Sequence, residues 1–418
     1  MRSTSWNRVY LTAGLLGILV GYIFTIIFRP SLLPPVLRFG IIIQPITVLF
    51  LGTDVVYTEG RRKKADKDAF SGRSDSIMVM RLDPYRDSFG VLQIPRDTIV
   101  TVAGYGNQKI NAANALGGPR LAVNAVSQLL GMPIDHFVVL NVHGLVELVD
   151  ELGGITVDVP KPMHYMDWTA KLKIDLEPGA HTLTGNQAMG FVRFRHDGLG
   201  DIGRVQRQEI FIRAVLDKAM HPDAWAHVPK LLEIARRYTY TDMDVGQLLQ
   251  IASFVRAVPK RNQFLAMMPG SFSGTGDWLV DRNDARRMVA RLNGSSFINS
   301  SRDNMHISVV NLSSSSDMGL GLYRWLRARG YTSVSVKSGQ SELRPLKTTR
   351  IIAQRGNPED ASMVQSDLAD LGEVETASLG DLDSAVTIMA GDDLAPLVTN
   401  RPIAQRAQKP HRRLRNRS

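Results

Sequence analysis

Residues 137–159 carry three short segments in succession: Phe137–Asn141 (FVVLN), Gly144–Leu152 (GLVELVDEL) and Ile155–Val159 (ITVDV). The first and third are strand-like runs of β-branched and apolar residues, and the second has the length of a short helix. The same alternation extends on the N-terminal side. Ile46–Leu51, Ser76–Arg81 and Gly90–Ile94 are strand-like, and Arg120–Leu130 is helix-length. Strands alternating with helices predict an α/β layered domain, because each sheet face must bury itself against helices. The domain begins near Pro45. The alternation ends around Met220, and a helical region follows to about Val258, so the predicted domain covers 45–260, with 261–303 as a connecting region.

A second unit is expected over 304–394, with a weak internal echo. Asn304–Asn311 reads as a strand, Asp317–Arg329 as a helix and Tyr331–Lys337 as a strand; Arg350–Ala353, Glu359–Leu371 and Val374–Thr376 repeat that order before Ala385–Ala390. Two such halves predict a small α/β domain. Ser313–Ser316 and Gly356–Pro358 supply turn chemistry where its strands end.

At the other end, Val9–Phe28 (VYLTAGLLGILVGYIFTIIF) is an uncharged, mostly apolar run long enough to cross a bilayer as a helix. It predicts a single-pass anchor, with 1–8 as a cytoplasmic tail and the proline-broken 29–44 as a stalk. A cleaved signal peptide is the competing reading. Arg2 and Arg8 before the run, against Arg29 after it, bias the amino terminus slightly to the inside and the body to the outside of the plasma membrane.

Composition narrows the function. The chain has 418 residues, 44% of them hydrophobic, and a formal charge of +10. Arg401, Arg406, Lys409, Arg412, Arg413, Arg415 and Arg417 supply seven of those charges, which leaves the body mildly basic and predicts a disordered basic tail at 395–418. No nucleic-acid partner is expected. Cysteine is absent, so disulfides and thiolate zinc sites are excluded, and the histidines lack the spacing of a helical zinc pair.

The densest chemistry is Val192-Arg193-Phe194-Arg195-His196-Asp197, followed by Asp201, Arg204, Arg207 and Gln208. If VRFR is extended, Arg193 and Arg195 share one face. If the next segment is helical, Arg204, Arg207 and Gln208 stand at i, i+3 and i+4. Guanidinium forks match phosphate oxygens in pairs, so four converging arginines suit a diphosphate. The competing reading pairs each arginine with a carboxylate such as Asp197, Asp201 or Glu209. Leu51-Gly52-Thr53-Asp54 places one carboxylate just after a strand, and Gly72-Arg73-Ser74-Asp75 another just before one. Brought together, they could hold Mg²⁺ against a diphosphate. Arg96 in Ile94-Pro95-Arg96-Asp97 adds a fifth arginine. Lys109-Ile110-Asn111-Ala112-Ala113-Asn114 adds a cation for phosphate, with Asn111 as a helix cap. Gly198–Gly203 matches GxGxxG, but no βαβ unit opens there and the acidic residue at the right distance, Asp217, falls in the helix. Neither a Walker A lysine nor a G-x-S-x-G elbow occurs.

The ordered set LGTD, GRSD, IPRD, KINAAN, Leu152-Gly153-Gly154, VRFRHD and D-x-x-R-x-x-R-Q, spanning about Ile46 to Met220, resembles the LytR-CpsA-Psr family. Residues 304 to about 394 look like the LytR C-terminal domain often appended to it. The resemblance implies an α/β/α sandwich around a central mixed sheet with a deep apolar pocket for a prenyl chain. It also implies a phosphotransferase dependent on Mg²⁺, with Mn²⁺ as the alternative. That enzyme moves a glycopolymer phosphate from a polyprenyl diphosphate-linked glycan to a peptidoglycan hydroxyl. Carried onto this chain, Asp54 and Asp75 are the metal carboxylates, and Asp54, Asp75, Arg96, Arg195 and Arg204 are the catalytic set. Arg73, Arg96, Lys109, Arg193, Arg195, Arg204, Arg207 and Gln208 are the diphosphate ligands. One departure stands out: Val55-Val56-Tyr57 occupies the place where the family has an arginine, and Arg61 or Arg62 is the candidate replacement. Asp54, Asp75 and Asp97 stand as alternatives for a general base. Diphosphate hydrolysis and a regulatory binding protein remain competing functions.

Overall fold

The computed structural model describes residues 44–53, 70–167, 172–194, 200–259, 262–295, 301–338, 345–354, 357–377 and 379–399. The expected membrane anchor, the cytoplasmic tail, nearly all of the stalk, Asp54, Arg61, Arg62, Arg195, Asp197 and 400–418 lie outside them. Among the described residues no helix is long and apolar enough to cross a membrane. The described residues fall into two compact units, the first mostly up to Ile298 and the second mostly from Asn299 onward.

In chain order the first unit contains β1 (Ile46–Thr53), β2 (Ser74–Asp83), β3 (Ser88–Ile94), β4 (Ile99–Val102), β5 (Gly106–Lys109), α1 (Ala112–Leu130), β6 (His136–Asn141), α2 (Val142–Glu151), β7 (Ile155–Val159), β8 (Met163–Asp167), β9 (Leu172–Leu176), β10 (Gly179–Leu183), α3 (Gly185–Arg193), α4 (Gly200–Met220), α5 (Val228–Tyr238), β11 (Thr239–Thr241), α6 (Val245–Ala257), β12 (Gln263–Met267), β13 (Gly270–Phe272), β14 (Trp278–Val280) and α7 (Arg282–Leu292).

The central sheet has the order β11-β6-β1-β2-β3-β12. It is mixed: β1 runs parallel to β6 and antiparallel to β2, and β12 joins β3 in parallel. Because side chains alternate across a strand, neighbouring residues of β1 serve opposite layers. Leu49 and Leu51 face one way, with Ile77, Val79, Phe137 and Val139, into a core closed by α1 and α7. Val48 and Phe50 face the other way, toward Ile212 and Leu216 of α4 and Ile251 and Val255 of α6. Helices thus cover both faces, giving the α/β/α layering.

Three expectations change. Ile155–Val159 is a strand, but it pairs with β10 in a separate two-stranded sheet rather than joining the central one. The VRFR segment is not extended: α3 runs through Arg193, and only at Phe194 does the backbone turn to ψ 135°. The cause is local, since Thr184 and Gln187 form a capping box that nucleates a helix. The stretch 261–303, expected as a connection, supplies β12 to the sheet and the buried Met288 and Leu292 of α7 to its core. The predicted helix Arg120–Leu130 is the main part of α1, which is interrupted at Gly117 and Gly118 just before Pro119.

The second unit contains β15 (His306–Asn311), α8 (Met318–Ala328), β16 (Ser333–Ser338), β17 (Arg350–Ala353), α9 (Pro358–Asp367), β18 (Glu373–Thr376), β19 (Val386–Ala390) and α10 (Ala395–Thr399). Its five-stranded sheet has the order β16-β15-β19-β17-β18, with β15 parallel to both neighbours. The helix Ala395–Thr399 occupies the first residues of the expected disordered tail.

Candidate active site

The face of β1 that carries Phe50 is the one left incompletely filled. Across three strands Met78, Phe50 and Val138 stand in one row, and Ser76, Gly52 and Leu140 in the next. Over these rows, between the sheet and α4, lies a cavity of about 530 Å³. Phe50, Met78, Val138 and Leu140 give it an apolar floor, with Leu145 of α2 and Phe211 and Ile212 of α4 as walls. Gly52 keeps the floor low, because a Cβ there would come within 3.1 Å of the Ser76 Cβ. At one end the lining turns polar, with Thr53, Asp75, Ser76, Arg193, Arg204 and Gln208, and Tyr165 of the β8–β9 hairpin also lines the cavity. An apolar chamber with a cationic, hydrogen-bonding mouth suits an amphiphile whose head carries negative charge.

Each mouth residue has a structural reason for its place. Arg204 and Gln208 lie one turn apart on α4 and project the same way. The Gln93 side chain of β3 donates to Gln208 Oε1 at 2.6 Å, which ties the helix to the sheet. Arg193 is the last residue of α3. Arg96 donates through Nη1 to Asp75 Oδ1 at 2.7 Å and through Nε to Asp97 Oδ2 at 3.3 Å. The loops bearing Asp75 and Arg96 are joined through Asn111, whose N–H donates to the Arg96 carbonyl and whose carbonyl accepts from Ser74 N–H. The side chain of Asn114 donates to the Phe70 and Gly72 carbonyls at 2.8 and 2.7 Å, fixing the approach to Asp75.

Several expected ligands behave differently. Arg207 is buried, donates to the Phe194 carbonyl and stacks over that ring with its Cζ 5.3 Å from the centroid. It does not line the cavity; it holds the chain where VRFR leaves α3. Helical geometry explains this, since i+3 and i+4 diverge by 100° and only Gln208 shares the Arg204 azimuth closely enough. Arg73 is exposed ahead of β2 and outside the cavity lining. Lys109 is also outside that lining. Its ammonium sits 3.0 Å from Asp97 Oδ1 and 3.3 Å from Asp277 Oδ1. The Asp97 and Asp277 carboxylates raise the Lys109 pKa above the usual lysine value. The Thr275 hydroxyl, then Lys109, lower that of Asp277. Asn111 stands at the α1 N-cap without a capping hydrogen bond from its side chain. Glu209 accepts from Arg213 at 2.8 Å.

A hard divalent cation can be tested against this donor set. Among the described residues no three His, Asp or Glu side chains cluster as a ready cage. The mouth nevertheless offers Asp75 with the Thr53 and Ser76 hydroxyls, and Mg²⁺ is commonly held by one or two carboxylates plus substrate phosphates. Among the described residues, the donor set therefore suits a cation shared with a bound diphosphate.

The residues that sequence reading did not name are Gln93, Tyr165, Asp277 and those of the apolar floor, whose pocket only the family resemblance implied. The floor had a signal in the alternate residues of β1, β2 and β6, but each of those strands is apolar on both faces.

Comparison with known proteins agrees with this architecture. A family model described as the LytR_cpsA_psr family matches residues 42–293. The chain is 33% identical over 218 residues to the Bacillus subtilis (strain 168) polyisoprenyl-teichoic acid–peptidoglycan teichoic acid transferase TagV, covering 50% of this chain and 52% of that protein. It is 32% identical over 180 residues to the regulatory protein MsrR of Staphylococcus aureus (strain Mu50), covering 43% and 54%. The chain thus spans about half the length of these relatives. Protein gbs0355 of Streptococcus agalactiae has a crystal structure that shares the fold, with a TM-score of 0.53 at 23% identity over 62% of this chain and 91% of that one.

Proposed function

The chain belongs to the LytR-CpsA-Psr family, and from that premise we propose that it transfers a glycopolymer phosphate from a polyprenyl diphosphate carrier to a peptidoglycan hydroxyl, in building the cell wall or envelope. The observation that carries this reading is the cavity, with an apolar floor against the sheet and Asp75, Arg193, Arg204 and Gln208 at its mouth. A prenyl chain suits the floor, and a diphosphate suits the mouth.

In the proposed reaction the acceptor hydroxyl oxygen forms a bond to the phosphorus nearer the glycan. The bond from that phosphorus to the bridging oxygen breaks, and polyprenyl phosphate leaves. The hydroxyl proton passes to water or to the carboxylate at the mouth. Arg193 and Arg204 stabilise charge spreading over the transferring and departing phosphates, and Arg96 holds Asp75 in line with them. Asp75, with Asp54 just beyond β1, would hold Mg²⁺ or Mn²⁺, which supplies further charge neutralisation at the diphosphate. Arg195, next to Phe194, is assigned to the same diphosphate. Lys109 and Arg207 are reassigned from phosphate ligands to positioning groups, and Arg73 lies outside the cavity lining.

We assign the anchor at Val9–Phe28 to the plasma membrane, which sets the cavity on the side where carrier lipid and wall meet. The second unit is read as a LytR C-terminal-type binding module for wall polymer or a partner. The test is release of polyprenyl phosphate from a synthetic prenyl diphosphate-linked saccharide, with peptidoglycan oligomer and Mg²⁺ present. Release that requires the oligomer supports transfer, and release without it supports hydrolysis. No release moves the reading to a binding or regulatory protein, the class in which MsrR is named.

A further inference from the structure

Arg204 lines two spaces. One is the apolar cavity; the other is a small cleft that Arg204 lines together with Arg96, Asp97, Phe272 and Trp278. The β13–β14 hairpin forms the outer wall of that cleft. Phe272 pairs with Trp278 across the hairpin, edge to face at 5.0 Å between ring centroids. Trp278 is 2% exposed, whereas Phe272 keeps 38% of its surface in water. The Trp278 base fixes the ring's orientation, so its solvent-facing side is a preformed aromatic surface beside the arginines of the mouth.

The surroundings of that ring are polar in a particular way. The hairpin turn presents Ser273, Thr275 and Asp277, and Lys109 reaches Asp277 from β5 at 3.3 Å. Hydroxyl, carboxylate and ammonium groups beside an open aromatic face match a sugar ring, which offers an apolar C–H face and a rim of hydroxyls. Phosphoryl transfer adds a directional argument. The attacking and departing oxygens lie roughly in line across the phosphorus. With the departing prenyl phosphate drawn into the apolar cavity, the nucleophile approaches from outside it, and the cleft that shares Arg204 with the cavity brings the hairpin to that approach.

We infer that the β13–β14 hairpin, with Phe272 as its platform and Lys109 and Asp277 beside it, receives the acceptor glycan strand. The inference rests on the transferase reading for its direction of attack, but it makes a separate statement about glycan binding. It also gives the segment after Ala257 a role in the reaction.

The test uses the full chain in detergent and a soluble peptidoglycan glycan oligomer. Direct binding of the oligomer is titrated without donor, for wild type, Phe272→Ala, Phe272→Trp and Leu279→Ser. Leu279 lies on the other face of the hairpin and is 51% exposed, so its variant controls for hairpin integrity. Phe272→Ala is expected to weaken oligomer binding about tenfold, the equivalent of roughly 1.4 kcal/mol of lost contact. Phe272→Trp restores it, and Leu279→Ser leaves it unchanged. In turnover, Phe272→Ala raises the acceptor KM by a similar factor while the donor KM moves less than twofold. Equal binding by wild type and Phe272→Ala, equal loss in Leu279→Ser, or no oligomer binding by wild type overturns the inference. Oligomer binding that depends on Phe272, without any prenyl phosphate release, leaves the surface standing and refutes the transferase reading instead.

Discussion

The two faces of the central sheet are made from the same strands and have opposite fates. On the face toward α1 and α7, Leu49, Ile77, Val79, Val126 and Val139 are almost wholly buried. On the face toward α4, Phe50, Met78 and Val138 meet an open cavity. One face is filled with buried aliphatic side chains and small alanines. The other was left short of partners, and its open space ends at arginines. Stability is concentrated on the first face and ligand capacity on the second, with a peptide bond separating Leu49 from Phe50.

That division can be broken from either side. The largest effect is expected from Arg204→Ala, which should lower prenyl phosphate release by about 10²–10³-fold, as loss of one transition-state donor does. Arg204→Lys should recover only part of this, since an ammonium cannot reproduce the bidentate fork. Turnover at saturating donor checks both. On the packed face, Leu49→Ala should cost about 2–5 kcal/mol of stability in denaturant unfolding, through lost burial and a residual cavity. Phe50→Ala, one residue on, should cost less, because its ring is only half-buried and lines the cavity. Its signature should be a donor KM raised about tenfold, reflecting lost apolar contact. A stability loss for Phe50→Ala equal to that for Leu49→Ala would erase the contrast.

Gly52→Val sharpens the comparison without touching charge. The added side chain would crowd Ser76 and fill the floor below the mouth, so donor binding should fall while the fold survives. Retained donor binding would place the ligand elsewhere.

The smallest effect concerns pH and the hairpin. The Asp277 carboxyl is held below its ordinary range by Thr275 and Lys109. The contribution of this depressed group is fully present above the ordinary aspartate pKa, about 4, and is lost as pH falls through the lower folded value. The Lys109 ammonium, shifted upward, contributes fully at neutral pH and fades only as pH rises through its raised value. Asp277→Asn should therefore flatten the acid limb of the unfolding midpoint and leave it little changed in slope near neutrality. An acid limb identical to wild type would remove Asp277 from the hairpin's support.

Much of this was legible in the chain because local rules and global packing agreed. The segments read as β1, β2, β3 and β6 are apolar runs bounded by turn residues, and the main part of α1 starts after Pro119, where proline suits a first helical turn. The site was legible where a side chain needed only its own element. Asp75 follows from a strand start and the Arg204–Gln208 pair from a helical period. The strand alternative for Arg193 arises because VRFR alternates like a strand, while the Thr184–Gln187 box that starts its helix lies six to nine residues upstream. Arg207 carries the same charge as Arg204, and only the surrounding core decides that its fork meets a carbonyl and a ring. β12 was hidden for another reason. A five-residue strand that enters the sheet in parallel, beside a strand some 170 positions earlier, has no short-range signature.

The bond between Gln93 and Gln208 joins two groups that never change charge between strongly acidic and strongly alkaline conditions. A histidine or carboxylate in either place would make the seating of α4, and with it Arg204, respond to acidity. Joined through amides, the helix keeps its register when protons are plentiful and when they are scarce, so titration of this link does not set the pH limits of the site.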